Sequence, residues 1–199
     1  MIAIQQFDDS SPEDYLEAEK SSPIKHEYHD GELYAMAGAS DEHVTIGMNI
    51  AFLLRHHLQG SGCRSYVFDM KVQIDAVNYF YYPDVMVTCD QRDQGFRFFK
   101  KYPVLILEVL SESTEATDRG KKFEHYRQLE TLQEYGLVSQ DRQRVEVFRK
   151  NGAGLWVLHP FGEGDQVELT SVGMGVGIAA LYENVTPIWD GEWAVGNGE

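Results

Sequence analysis

Apolar and polar positions follow two rhythms along this chain. Between Ser40 and Gly60, Ile46, Ile50, Leu53, Leu54 and Leu58 recur at helical intervals. That stripe predicts a long helix over 40–60, capped by Ser40, with Asp41 and Glu42 in its first turn and Gly60 at its end. "SSPEDYLEAEK" (10–20) predicts a short helix with Ser11 as cap and Pro12 at its first position. "KHEYHDGELYAM" (25–36) alternates about Asp30-Gly31, the pattern of a hairpin. Short apolar runs at 64–74, 79–89, 103–110, 134–139 and 143–149 predict strands, and "DRGKKFEHYRQLE" (118–130) predicts a helix between the third and fourth. After residue 150 glycines multiply, which predicts a hairpin and then a short strand or helical turn near 176–183. This order predicts an α/β or α+β domain over 1–190 around one mixed sheet, with 191–199 as a frayed tail. "GMGVG" (173–177) does not open a helix after an early strand, so it is not a dinucleotide fingerprint.

One position breaks the pattern. In "VLILEVLSES" (104–113), Glu108 interrupts what reads as a buried strand. A buried carboxylate is costly unless paired, hydrogen-bonded or bound to metal. Asp84, after Pro83 in the preceding strand run, is an acid placed to converge with it. Two carboxylates, a backbone carbonyl and water are ligands that suit magnesium or manganese. Asp118, Lys122 and Tyr126, four residues apart, share a helix face from which the lysine can reach the acids.

Composition narrows the choices. Thirty-two acids against 17 Lys and Arg give a formal charge of −15. That argues against a protein that coats nucleic acid, whose affinity comes from cations on phosphates. It leaves room for an enzyme with a local metal site. No apolar run approaches the ~20 residues of a membrane span, and the N-terminus lacks a signal-peptide pattern. Cys63 and Cys89 lie far apart without a CxxC and predict two ordinary thiols in a cytoplasmic protein.

The series E-x-x-x-G-E from Glu27, S-x-x-H from Ser40, P-D at 83–84, E-V-L-S-x-S-T from Glu108 and D-x-x-x-K-x-x-x-Y from Asp118 resembles the Uma-two family of restriction-endonuclease-like proteins, within the PD-(D/E)XK nuclease superfamily. The likeness covers roughly residues 11 to 150. It implies a restriction-endonuclease-like fold, a central mixed sheet flanked by helices with an N-terminal hairpin. It implies metal-dependent hydrolysis of phosphodiester bonds, most readily in DNA. By residue, it implies Asp84 and Glu108 as catalytic acids that hold magnesium or manganese with the Val109 backbone carbonyl. Lys122 would orient or activate the water. Glu27, His43 and Tyr126 match supporting positions. The superfamily lysine stands two residues after the motif acid, where this chain has Leu110; in the Uma-two pattern the following helix supplies it. A homodimer fits a duplex substrate.

Other readings stand beside these. Glu108 and Lys122 can form a structural pair in a catalytically inactive descendant that binds or scaffolds. Glu27 can be a surface hairpin charge, Asp84 a turn acid and His43 a structural contact. His26, His29, His56, His57 and His125 show no zinc spacing, and "FRFFKK" (96–101) reads as a loop with an apolar anchor or a stacking element.

Overall fold

The computed structural model describes residues 10–186. Ser11 accepts the Asp14 amide and starts α1 (Pro12–Glu19). β1 (His26–His29) and β2 (Glu32–Ala35) form the expected hairpin. Asp30 and Gly31 both take positive φ, 48° and 101°, as a two-residue hairpin turn requires. Ser40 caps α2 (Asp41–His57) by accepting the His43 amide, and the predicted stripe buries Ile46, Ile50 and Leu54.

Two of the predicted strand runs break. Residues 64–74 become β3 (Arg64–Val67) and β4 (Lys71–Ile74); residues 79–89 become β5 (Tyr79–Tyr81) and β6 (Val85–Thr88). The two breaks lie side by side, because Phe68 donates its amide to the Asp84 carbonyl at 3.1 Å. Pro83 has no amide to give a ladder, and Phe68 turns the chain with φ of 51°. The Phe68 ring packs against Gly47 of α2, where a Cβ would sit 2.7 Å from it. The halves of each run therefore enter different sheets.

The remaining strands are β7 (Phe99–Lys100), β8 (Pro103–Leu110), β9 (Glu134–Ser139), β10 (Val145–Lys150) and β11 (Trp156–Phe161). The central mixed sheet has the order β11-β10-β9-β8-β6-β3, parallel only between β8 and β9. A second sheet, β2-β1-β5-β4-β7, replaces the single-sheet expectation. Parallel neighbours need a crossover. Here it consists of α3 (Glu115–Thr117), a π-helical turn (Asp118–Lys122) and α4 (Phe123–Tyr126). The predicted helix thus starts earlier and ends four residues sooner than 118–130.

Alternation along β8 sorts the core. Leu105, Leu107 and Val109 join the α2 side. Ile106 and Leu110 join the side beneath the crossover, with Tyr81, Tyr126 and Tyr135, and Glu108 lies on that same face by period two. Across β8, Gly136 of β9 leaves the room that the Leu107 side chain occupies. A hairpin of β12 (Gln166–Leu169) and β13 (Met174–Gly177), followed by α5 (Ile178–Leu181), closes the α2 side, and "GMGVG" lies on β13 and its approach.

The cysteines overturn their reading. Cys63 and Cys89 form a disulfide. They extend the β3–β6 register by one pair beyond Arg64 and Thr88, which sets them opposite each other. Distance in sequence concealed this, and the inference from free thiols to a cytoplasmic compartment loses its footing. No described helix is long and apolar enough to cross a membrane. The expected tail at 191–199 lies outside the described residues.

Candidate active site

The site grows from the point where β6 ends and β8 continues. β6 pairs with β8 as far as Val85 opposite Leu107. Beyond it, the Asp84 side chain takes the place of a ladder partner: its Oδ2 accepts the Val109 amide at 2.7 Å. In return, Glu108 Oε2 accepts the Asp84 amide at 3.1 Å. Glu108 holds the Asp84 amide and Asp84 holds the next amide along from Glu108, so the two carboxylates are fixed against each other's strand. An amide and the carbonyl of the same strand residue face the same edge, so the Val109 carbonyl faces the Asp84 side as well.

Three elements surround Glu108, which is 2% exposed. Tyr126 of α4 donates to Oε1 at 2.9 Å. Lys122 of the π turn places Nζ 3.5 Å from the same oxygen. Lys122 also lies 3.4 Å from Glu27 Oε1 of β1 and 3.2 Å from Asp118 Oδ1. The Asp118 contact lacks hydrogen-bond alignment, and Asp118 Oδ1 and Glu27 Oε2 have no hydrogen-bond partner. Leu110, at the superfamily lysine's position, is instead packed in the core. Lys122 enters from above the same sheet face and brings an ammonium to the acid.

His43 Nε2 meets Asp84 Oδ1 at 2.8 Å, and these two side chains, 13% and 17% exposed, form the open side of the cluster. Glu27 is no surface charge: it is 3% exposed. The structure thus brings together Asp84, Glu108, Lys122, Glu27, His43 and Tyr126. It adds Asp118, whose register with Lys122 was visible but whose burial was not, and His29, whose Nε2 lies 3.5 Å from Glu27 Oε2. The "FRFFKK" run stays apart. Its Lys100 is buried and donates to the Asp93 and Phe96 carbonyls, and Lys101 pairs with Asp75 at 2.9 Å.

The electrostatics are unbalanced. Burial pushes the Glu108 carboxyl well above the usual carboxylate range; Asp84 and Asp118 add to this and Lys122 only partly opposes it. Burial raises Asp118 too. Burial also acts to raise Glu27, but Lys122 and His29 outweigh it and hold Glu27 low. Burial works against the Lys122 ammonium, yet Glu108, Glu27 and Asp118 hold its pKa well above normal. At an effective dielectric of 20, each close contact is worth about 4 kcal/mol. Desolvation costs several kcal/mol per ion. One ammonium can offset one such acid, and here it faces three.

A divalent cation would correct this deficit, and the donors suit a hard one. Asp84 and Glu108 keep lone pairs beyond the amide and hydroxyl bonds described. Among the described residues no three His, Cys, Asp or Glu side chains form a ready-made cage. Two carboxylates and one backbone carbonyl would leave the remaining positions of a hard cation to water, an arrangement magnesium accepts.

The fold has a solved counterpart. A crystal structure of a "putative nuclease belonging to DUF820" from Anabaena variabilis matches with a TM-score of 0.70 at 17% identity, over 88% of this chain and 98% of that one. Two Synechocystis proteins, the uncharacterized proteins slr1290 and sll1609, are 40% and 34% identical over 179 and 160 residues. The alignments cover 90% and 79% of this chain and 94% and 90% of the relatives. Residues 12–180 match the Uma2 family model, described as "Putative restriction endonuclease". With a family match over most of its length and relatives of this identity, the chain belongs to the Uma2 family.

Proposed function

We propose that this protein is a magnesium- or manganese-dependent endonuclease that hydrolyses phosphodiester bonds in DNA. One observation carries the reading: the reciprocal brace in which Asp84 and Glu108 each bind the other's strand backbone, with Lys122 over Glu108. Family membership supports a nuclease-like chemistry.

Asp84, Glu108 and the Val109 carbonyl would hold the cation. When bound, it would supply Lewis acidity and an acidified water. His43 fixes the exposed oxygen of Asp84, and Tyr126 fixes Oε1 of Glu108, so both carboxylates are oriented before substrate arrives. Lys122 keeps its proton in this acidic setting. As an ammonium it would orient water and offset negative charge on the phosphoryl group. Substrate approaches from the Asp84–His43 side, since Glu108, Lys122 and Tyr126 are closed off.

Supercoiled-plasmid nicking in manganese tests this. The wild type should nick; Asp84→Asn, Glu108→Gln and Lys122→Met, each checked for folding, should lose at least about a hundredfold, as loss of a preorganised electrostatic group does. Full activity in Glu108→Gln would sink the assignment. A second reading, an inactive nuclease-fold module, draws on the protein donors that already occupy both Glu108 oxygens. It predicts no nicking by any form and no manganese binding.

A further inference from the structure

The outer face of α2 carries an apolar stripe that the fold does not cover. Val44, Met48 and Phe52 are 41%, 55% and 72% exposed. They stand four residues apart, while Ile46, Ile50 and Leu54 occupy the buried face. At about 100° per residue, Val44 and Phe52 lie about 40° to either side of Met48. Small, half-buried Thr45 and Ala51 flank Met48 at three residues on each side. Asp41 and Arg55, both exposed, lie seven residues before and after Met48, about 20° from its direction. Neither is ion-paired among the described residues.

The stripe is thus a palindrome in position and opposite in charge at its ends. We infer that α2 is the interface of a symmetric homodimer, with two copies packed antiparallel about a two-fold axis at Met48. In that arrangement Met48 meets the partner's Met48 and Val44 meets the partner's Phe52. Asp41 faces the partner's Arg55, and the reverse pair forms by symmetry. An isologous contact requires such self-complementarity, and a parallel pairing would set like charges together. Apolar anchors ringed by charge are the usual anatomy of an interface centre. The inference does not depend on the nuclease reading.

Sedimentation equilibrium on the full chain tests it. The wild type should sediment as a dimer of the 22.7 kDa chain. Phe52→Asp should weaken association roughly thirtyfold or more, as loss of an interface anchor does. Asp41→Arg and Arg55→Asp should each weaken it on the order of tenfold, because each sets like charges opposite. An equimolar mixture of those two variants should dimerise again, since in the mixed pair each position 41 once more faces a position 55 of opposite charge. Recovery on mixing excludes misfolding as the cause. Monomeric wild type would overturn the inference, including the case in which residues 187–199 of the same chain cover the stripe. A dimer indifferent to all three substitutions, or no recovery on mixing, would overturn it as well.

Discussion

Glu108 and Glu134 are carboxylates buried in neighbouring parallel strands, and the protein treats them in opposite ways. Glu134 is fully buried and completely served: it accepts from Arg149 Nε at 2.7 Å, from the Ser171 amide at 2.7 Å, and from the Thr170 amide and hydroxyl at 3.1 and 3.0 Å. Burial acts to raise its pKa, but those donors outweigh it and hold Glu134 below the usual range. It ties β9 to the β12–β13 connection and has nothing left to offer. Glu108 has one hydroxyl, one amide and a third share in Lys122, and burial drives it the other way. A fully satisfied buried acid is a structural clamp. A buried acid left short of positive charge beside a second acid is where a cation or substrate would do work.

Substitutions can break this contrast, beginning with Lys122→Met. It removes the single ammonium shared by Glu27, Glu108 and Asp118, and should cost about 3–5 kcal/mol of stability at neutral pH, the range for an orphaned buried ion. Urea unfolding would measure the loss, and acidification toward pH 4 should recover part of it. Glu134→Ala should cost somewhat less, about 2–3 kcal/mol, because it strands the Thr170 and Ser171 amides while Arg149 can turn to solvent. Plasmid nicking per folded molecule should be unchanged. Glu108→Gln keeps the shape and removes a charge the site barely tolerates, so stability near neutral pH should be unchanged or raised rather than lowered.

The two carboxylates also act on opposite limbs of the pH–stability curve. A carboxyl raised in the folded state contributes stability that is full below its unfolded pKa of about 4 and is lost as pH rises through the folded value. Glu108 and Asp118 are of this kind. A lowered carboxyl contributes stability that is present above its unfolded pKa and is lost as pH falls through the folded value; Glu134 is of this kind. Urea midpoints from pH 3 to 8 should therefore show Glu108→Gln flattening the decline above about pH 4.3. Glu134→Gln should reduce the loss on the acid side. If both variants change the same limb, the contrast is wrong.

Much of this was legible in the sequence because it was local. Caps at Ser11 and Ser40, the Asp30-Gly31 turn and the α2 stripe are short-range chemistry, and each formed where expected. The interrupted strand at Glu108 and the four-residue spacing of Asp118, Lys122 and Tyr126 already marked one face. What stayed hidden depends on register between distant segments. Phe68 and Asp84 break two strands at one level, which splits one expected sheet into two and sets Asp84 beside Val109. Cys63 meets Cys89 only through the β3–β6 pairing. Glu27 is buried with its carboxylate against Lys122 of the crossover, and no local pattern distinguishes that from a surface hairpin.

The proposed site stands on Asp84 and Glu108 holding a cation. Calorimetric titration of manganese into the metal-free wild type, Asp84→Asn, Glu108→Gln and Glu134→Gln tests it without relying on turnover. Saturable binding is expected for the wild type and for Glu134→Gln, and its loss for Asp84→Asn and Glu108→Gln. Binding that survives both of those substitutions, or no binding to the wild type, would contradict it.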